Sequence, residues 1–228
     1  MISLSLELSS DRASLALLEG DTTIGTCNWH QARVPGRRTF TELSSLLDRA
    51  GIEPSRIESF FIGRGPGTFS ALRIANSAAR AFALPGGGTV YSVSSGAAIA
   101  REARQTPGME GPIAVVGDAR RNSVWIGTFE EEDEITSNRN VWRVLPAESF
   151  PGAVPDGTTF VTPQWERLQS ILPEDLFAAY RWKPSPCYPD AVYVARVAEQ
   201  RIRRGLPSEP LEPLYLHPPV STPPPGPA

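Results

Sequence analysis

Little in this chain of 228 residues suits metal or redox chemistry. Its two cysteines, Cys27 and Cys187, stand far apart and outside any paired metal or redox spacing, and two thiols build no disulfide framework. Both read as reduced. The two histidines, His30 and His217, lie near opposite ends, so no HxxxH or HExxH pair exists to hold zinc or iron, and neither a metal nor another cofactor is expected. A G-x-S-x-G elbow is also missing, and neither histidine has a clear serine or cysteine partner, so no catalytic residue stands out. Charge of one sign is not in excess: 22 Lys and Arg against 25 Asp and Glu leave a net charge of -3, which gives no field to attract nucleic acid unaided. Nothing approaches the ~20 consecutive apolar residues of a spanning helix. The opening MISLSLELSS has no basic region ahead of an apolar run, so no signal peptide, no membrane contact and a cytoplasmic location are expected.

What is present reads as α/β. Ile2, Leu4, Leu6 and Leu8 alternate with Ser3, Ser5, Glu7 and Ser9, the period of a strand with one buried face. ASLALLEG and TTIGTCNW continue as strands, and TFTELSSLLDRAG then changes period, placing Phe40, Leu43, Leu47 and Ala50 on one helical face. Thr39 and Glu42 have capping-box spacing, and Gly51 is a natural stop. IESFFIG and TVYSVS read as strands, SGAAIAREARQ as a helix, and TPGMEGP as a break. A hairpin IAVVGDARRNSVWIGTF follows, running into an acidic stretch, Glu130 to Glu134, that reads as a solvated hairpin end. TTFVTP is a further strand, and QWERLQSIL and YPDAVYVARVAEQRIRRG are helices. Two α/β lobes are expected, residues 1–108 and 109–217, followed by a proline-rich, disordered tail at 218–228.

The densest signal is GRGPGTFSALRIANSAARAFALP, residues 63 to 85. A glycine-rich turn between a strand and a helix can present N–H groups to an anion. Here the P-loop lysine is missing and Pro66 removes one N–H, so a tight turn at Gly65, Pro66 and Gly67 with Thr68 capping the helix is the preferred reading. Phe69, Leu72, Ala75, Ala79 and Phe82 recur at helical spacing, while Ala71, Ala78 and Ala81 leave other faces small, which suits either core packing or close approach of a second helix. Asp118, Arg120 and Arg121 in DARRN could serve a ligand, with a hairpin turn braced by Asp and Asn the favoured reading.

Gly65, Pro66, Gly67, Thr68, Phe69, Ser70, Ala71, Leu72, Arg73 and Ile74 resemble the Gly-Pro-Gly-Ser/Thr-Phe-Thr/Ser-Gly/Ala-Leu-Arg-Ile signature of the TsaB (YeaZ) family. YSVSSGAAIA is similar to its Gly-Val-Ser-Ser-Leu segment. Asp118, Ala119, Arg120 and Val124 match its Asp-Ala-Arg hairpin, and Pro213, Tyr215 and Leu216 match its closing Pro-x-Tyr-Leu-Arg. The resemblance implies a two-lobed actin/Hsp70/sugar-kinase fold, each lobe a mixed sheet flanked by helices. It implies a non-catalytic subunit of the machinery that makes threonylcarbamoyladenosine at adenosine 37 of tRNA. Its partners would be the catalytic TsaD subunit and the TsaE ATPase, a homodimer is possible when TsaD is absent, and tRNA would be met only through the complex. The family's dimer surface maps to helices at 39–50 and 68–84, which suggests Phe40, Leu43, Leu47, Phe69, Leu72, Ala75 and Ala79 as the partner interface. The family's usual Asp-Thr-Ser after the first strand reads Glu7, Leu8, Ser9 here, a change away from nucleotide handling. A nucleotide-dependent kinase of the same fold, a glycopeptidase-like hydrolase and a binding module diverged from tRNA modification are the alternatives.

Overall fold

Strand β1 (Ile2–Glu7) shows how the chain departs from a simple one-faced pattern, because every one of its residues is buried in the computed structural model. The model describes residues 1–31, 38–130 and 142–216; most of the acidic run and the whole of the proline-rich tail lie outside these. Leu4, Leu6 and Leu8 enter one core with α1 (Thr39–Ala50) and α2 (Phe69–Ala83). The serine side of the strand is covered by the last helix, α6 (Ala191–Arg203), which packs across β1, β2 (Arg12–Glu19), β4 (Ser59–Gly63) and β5 (Thr89–Val93). Short side chains at Ser3 and Ser5 and the alanines Ala191, Ala195 and Ala198 let helix and sheet approach closely. The expected solvent-facing side of β1 is therefore a second core face.

The first sheet runs β3-β2-β1-β4-β5, with β3 spanning Thr22–His30. The second contains β6 (Ile113–Arg120), β7 (Ser123–Phe129), β8 (Arg143–Pro146), β9 (Thr159–Val161) and the short β10 (Arg181–Trp182), in the order β10-β9-β6-β7-β8. The two share one plan. In each, the leading strand pairs antiparallel with the next, which pairs antiparallel with the third, and on its other side pairs parallel with the fourth, which pairs parallel with the fifth. Such a duplicated, mixed sheet is the two-lobed fold of the actin/Hsp70/sugar-kinase type. Helix α3 (Ser95–Ala103) leaves the first sheet and packs against both α6 and the second sheet, so a shared core of Phe61, Val93, Ala98, Val115, Phe129 and Val194 joins the lobes. Two further helices, α4 (Trp165–Ile171) and α5 (Glu174–Ala179), complete the second lobe.

Helix α1 begins differently from its expected capping box. Arg38, not Thr39, is the N-cap, Thr39 is buried inside the helix, and Glu42 instead accepts from the Arg38 guanidinium at 2.6 Å. Its stop is as read: Gly51 takes the left-handed conformation and its N–H returns to Asp48 and Leu47.

Candidate functional site

The glycine turn grows out of the carboxyl end of β4. Gly65 has φ +101°, a conformation open to glycine, and is held from both sides by Ser95 at the start of α3. Its N–H donates to Ser95 Oγ (3.0 Å) and its carbonyl accepts from the Ser95 N–H (2.9 Å). The same hydroxyl donates to Glu7 Oε2 at 2.7 Å, while the Ser9 N–H donates to Glu7 Oε1 at 2.6 Å. Glu7 lies fully buried in the space left by Gly63, whose missing side chain would otherwise fall 1.7 Å from Glu7 Oε2. Burial pushes the Glu7 carboxyl above the ordinary carboxylate range, against the pull of its bonds to Ser9 and Ser95. It is a brace that ties β1, β4, the turn and α3 together.

One side of the turn is filled by the chain itself. A methyl group on Gly67 would lie 2.3 Å from the Ser9 carbonyl oxygen and 2.7 Å from Ser9 Cα, and the Thr68 N–H donates to that same carbonyl at 3.3 Å. The turn after β1 thus packs against the glycine turn on this side, and its carbonyl already takes an N–H that an anion would use. Thr68 is the N-cap by position, yet its side chain makes no capping bond.

A strap closes the other side. After α6 the chain runs back along β5 and reaches the turn, with the Ser92 hydroxyl against the Glu209 and Pro210 carbonyls (2.7 and 2.9 Å) and the Ser94 N–H donating to Glu209 Oε1 (3.1 Å). Arg64 donates to the Glu212 carbonyl (2.9 Å) and pairs with Glu209 (3.4 Å), and Leu214 N–H returns to the Arg64 carbonyl (2.8 Å). Asn76 of α2 donates to the Leu211 carbonyl, and Tyr215 stacks on Phe69 with ring centroids 4.9 Å apart. Arg73 lies 4.0 Å above the Phe69 ring and reaches the Tyr215 hydroxyl at 3.4 Å. Nothing in the sequence marks Arg64, Asn76, Ser92 or Glu209 for this; only Tyr215, through its motif, was visible.

Between the lobes lies a cleft of about 600 Å³. Pro66, Gly67, Thr68, Phe69 and Arg73 reach it from the first lobe, Asp118 and Arg120 from the second, and Tyr215 from the strap, so the structure brings these sequence-singled residues to one place, with Gly65 just behind. DARRN is a tight hairpin: Arg121 and Asn122 both have positive φ (52° and 56°), and Asp118 Oδ1 accepts from the Arg120 N–H at 2.6 Å while its other oxygen pairs with Arg167. Glu7 does not line the cleft. Among the described residues no cluster of His, Cys, Asp or Glu is arranged to hold a metal. The buried Cys187 thiol is pushed up to about 11 by desolvation, which leaves it a poor nucleophile.

The suggested interface residues divide sharply. Leu43, Leu47, Leu72, Ala75 and Ala79 are 0–3% exposed; Leu43, Leu47, Ala75 and Ala79 belong to the core between the helices and the first sheet, and Leu72 packs beside Gly65. Their stripe is the inward face: the alanines of α2 are small because the helix rides directly on β4, β5 and β1. Phe40 and Phe69 are half exposed (50% and 51%). Phe40 stacks on Phe82 across the two helices at 6.4 Å, and Leu84 at the end of α2 is 80% exposed. Charged and small residues, Ser44, Asp48, Arg73, Ser77, Arg80 and Ala81, make up the rest of the outer face.

Residues 37–140 match the family model described as TsaD: tRNA N6-adenosine threonylcarbamoyltransferase. Two curated relatives carry the name tRNA threonylcarbamoyladenosine biosynthesis protein TsaB. That of Bacillus subtilis (strain 168) is 26% identical over 62% of this chain and 62% of its own length, and that of Haemophilus influenzae is 28% identical over 57% and 54%. The solved structure of YeaZ from Pseudomonas aeruginosa is 25% identical, covers 94% of this chain and 99% of its own, and superposes with a TM-score of 0.74. The chain is similar to the TsaB/YeaZ proteins in sequence and in fold. Matches to the curated relatives therefore span somewhat over half of their length. The segments that carry the TsaB/YeaZ resemblance, around Gly67, Asp118 and Tyr215, are far apart in sequence and converge on the cleft wall.

Proposed function

We propose that this chain is a TsaB-type accessory subunit of tRNA threonylcarbamoyladenosine synthesis, non-catalytic in itself, acting in the cytoplasm by docking a TsaD-type subunit. The observation that carries this reading is the blocked glycine turn. With the Ser9 carbonyl seated against Gly67 and taking the Thr68 N–H, and with Pro66 lacking an N–H, the turn keeps few donors for a phosphate nest, which favours a role in aiming α2. The relatives' names support a place in this pathway, and the half-exposed aromatic rings on the outer side of α1 and α2 offer a surface for docking. The docking face is proposed to be that outer side, with Phe40, Phe69 and Leu84 in contact and the Leu43, Leu47, Leu72, Ala75 and Ala79 stripe supporting it from beneath. Control by a TsaE-type ATPase, and contact with tRNA only through the assembled complex, belong to the same proposal. Expression in a TsaB-depleted bacterium, read by the threonylcarbamoyladenosine content of bulk tRNA, is expected to restore the modification, and a Phe40→Glu, Leu84→Glu double variant is expected to fold and fail to restore it. Unrestored modification by the soluble wild-type chain beside its own TsaD-type subunit, or turnover of ATP by the chain alone, would sink the reading.

A further inference from the structure

After α6 the chain is gripped by its carbonyls. Arg201 donates to the Pro207 carbonyl (2.9 Å), the Ser92 hydroxyl lies against those of Glu209 and Pro210, Asn76 donates to that of Leu211 and Arg64 to that of Glu212. Prolines stand at 207, 210 and 213, every third residue. That is the repeat of polyproline II, which has no internal hydrogen bonds and leaves its carbonyls to outside donors. Leu216, where the described part of the chain stops, lines the inter-lobe cleft, and the sequence goes on with HPPVSTPPPGPA, residues 217–228.

The cleft offers donors and few acceptors. Both Asp118 carboxylate oxygens are taken, by the Arg120 N–H and by Arg167, and Gln164 Oε1 accepts from the Asp118 N–H at 2.8 Å. The Ser9 carbonyl takes the Thr68 N–H. Among the described residues, by contrast, the Arg120 guanidinium, the Trp125 indole N–H and the Gln164 amide N–H have no partner. Asp11, an exposed residue, is the one carboxylate of the lining left uncommitted. Ile99, Val115, Pro163 and Leu214 add apolar wall, and the Trp125 and Tyr215 rings are part-exposed. An occupant that fits therefore accepts hydrogen bonds, donates almost none and presents apolar rings. Proline does all three, having a carbonyl, no N–H and a ring that packs on aromatic faces. An inorganic anion would meet the donors and leave the apolar walls to water. We infer that residues 217–225 of this chain are that occupant, laid into the cleft in polyproline II form as a continuation of the strap. Joined directly to Leu216, the segment starts at the cleft, at the ~mM effective concentration of a short tether. It stands where a free ligand would and links Trp125 of the second lobe to Tyr215 of the strap.

Photo-cross-linking of the full chain tests this. Val220 is replaced by the photoreactive p-benzoylphenylalanine, the chain is irradiated at low concentration, and the monomer band is digested and mapped by mass spectrometry. Cross-links are expected to concentrate on the cleft, in residues 66–73, 115–125 and 163–164. The combined substitutions Pro218→Gly, Pro219→Gly, Pro223→Gly, Pro224→Gly and Pro225→Gly restore N–H groups and loosen the segment while leaving every described residue unchanged. With the same photoprobe, this variant is expected to lose about fivefold or more of its cleft cross-links, because the pre-set conformation of proline is what lowers the cost of binding. Cross-links scattered over the surface, a glycine variant that labels the cleft as strongly as the parent, or cleft labelling found only in covalent dimers would each overturn the inference. The last result would give the cleft to the tail of a second copy.

Discussion

Replacing Gly67 with alanine is the sharpest test of what the glycine turn is for. The added methyl would meet the Ser9 carbonyl oxygen at 2.3 Å, Ser9 Cβ at 2.6 Å and Ser9 Cα at 2.7 Å, so the obstacle is backbone and not the end of a flexible side chain. Overpacking of a tight site costs ~1–3 kcal/mol, and an obstacle of this kind puts the cost near ~3 kcal/mol. Gly67 does not have a positive φ, so backbone strain adds nothing, and stiffening of the unfolded chain gives back ~0.4–1 kcal/mol. The net loss is about 2 kcal/mol, which for a chain of this size lowers the melting temperature by about 4–8 °C. Thermal unfolding followed by circular dichroism measures it. Thr68→Ala is the internal control: its side chain makes no capping bond, so it should cost under ~0.5 kcal/mol, less than the ~1 kcal/mol of an ordinary cap. A Gly67→Ala chain that melts within about 1 °C of wild type would refute the contact with Ser9 and reopen the turn as an anion site.

Two other perturbations follow from the same region. Because the buried Glu7 carboxyl holds its proton more tightly folded than unfolded, its contribution to stability is fully present below the ordinary glutamate pKa of about 4.3 and is lost as pH rises through the raised folded value. Glu7→Gln removes that slope while keeping an acceptor for the Ser9 N–H, so its melting temperature relative to wild type should climb with pH; a flat or shrinking difference would contradict the burial of a titrating acid. Arg64→Ala removes the guanidinium that holds Glu212 and Glu209, and hydrogen bonds to a charged group are worth ~1.5–3 kcal/mol. Hydrogen exchange should quicken at Leu214 and along residues 208–215 and stay unchanged in the second sheet; an unaltered strap would show that its other bonds suffice.

Periodicity reported the elements whose partners lie close in sequence. The hairpins of the first sheet, α1 with its Gly51 stop, and the DARRN turn were legible because alternation, helical spacing and turn chemistry are local. Thr39 misled for a physical reason: capping-box spacing is satisfied on paper, but Arg38 reaches Glu42 and leaves Thr39 inside the helix. Helix α5, with six residues, and β10, with two, are too short to develop a period, and β8 gains its place by pairing with β7. The suggested interface residues divide between buried and half-exposed because a helix buried on a sheet and one buried on a partner carry the same stripe; Leu72, Ala75 and Ala79 gave no sign of which it was. Ser3 and Ser5 looked solvent-facing because the helix that covers them comes near the other end of the chain. Glu7 was legible as a departure from the TsaB/YeaZ opening, but its brace to Ser95 required the fold.

That returning helix also sets an order on how the molecule is made. The first sheet has one face closed by α1 and α2, which precede the second sheet in the chain, but its other face awaits residues 191–203. Until then Phe61, Val93 and Leu18 lack the part of their core that this helix supplies, Ala191, Val194, Ala195 and Ala198, and a fragment ending at the lobe boundary would lack it too. Completion of the first lobe is thus deferred until the second sheet has been made, and the strap follows that helix in the chain. A nascent chain of this design makes its whole second sheet while one face of its first stays open, and such transiently exposed apolar surface is prone to aggregate.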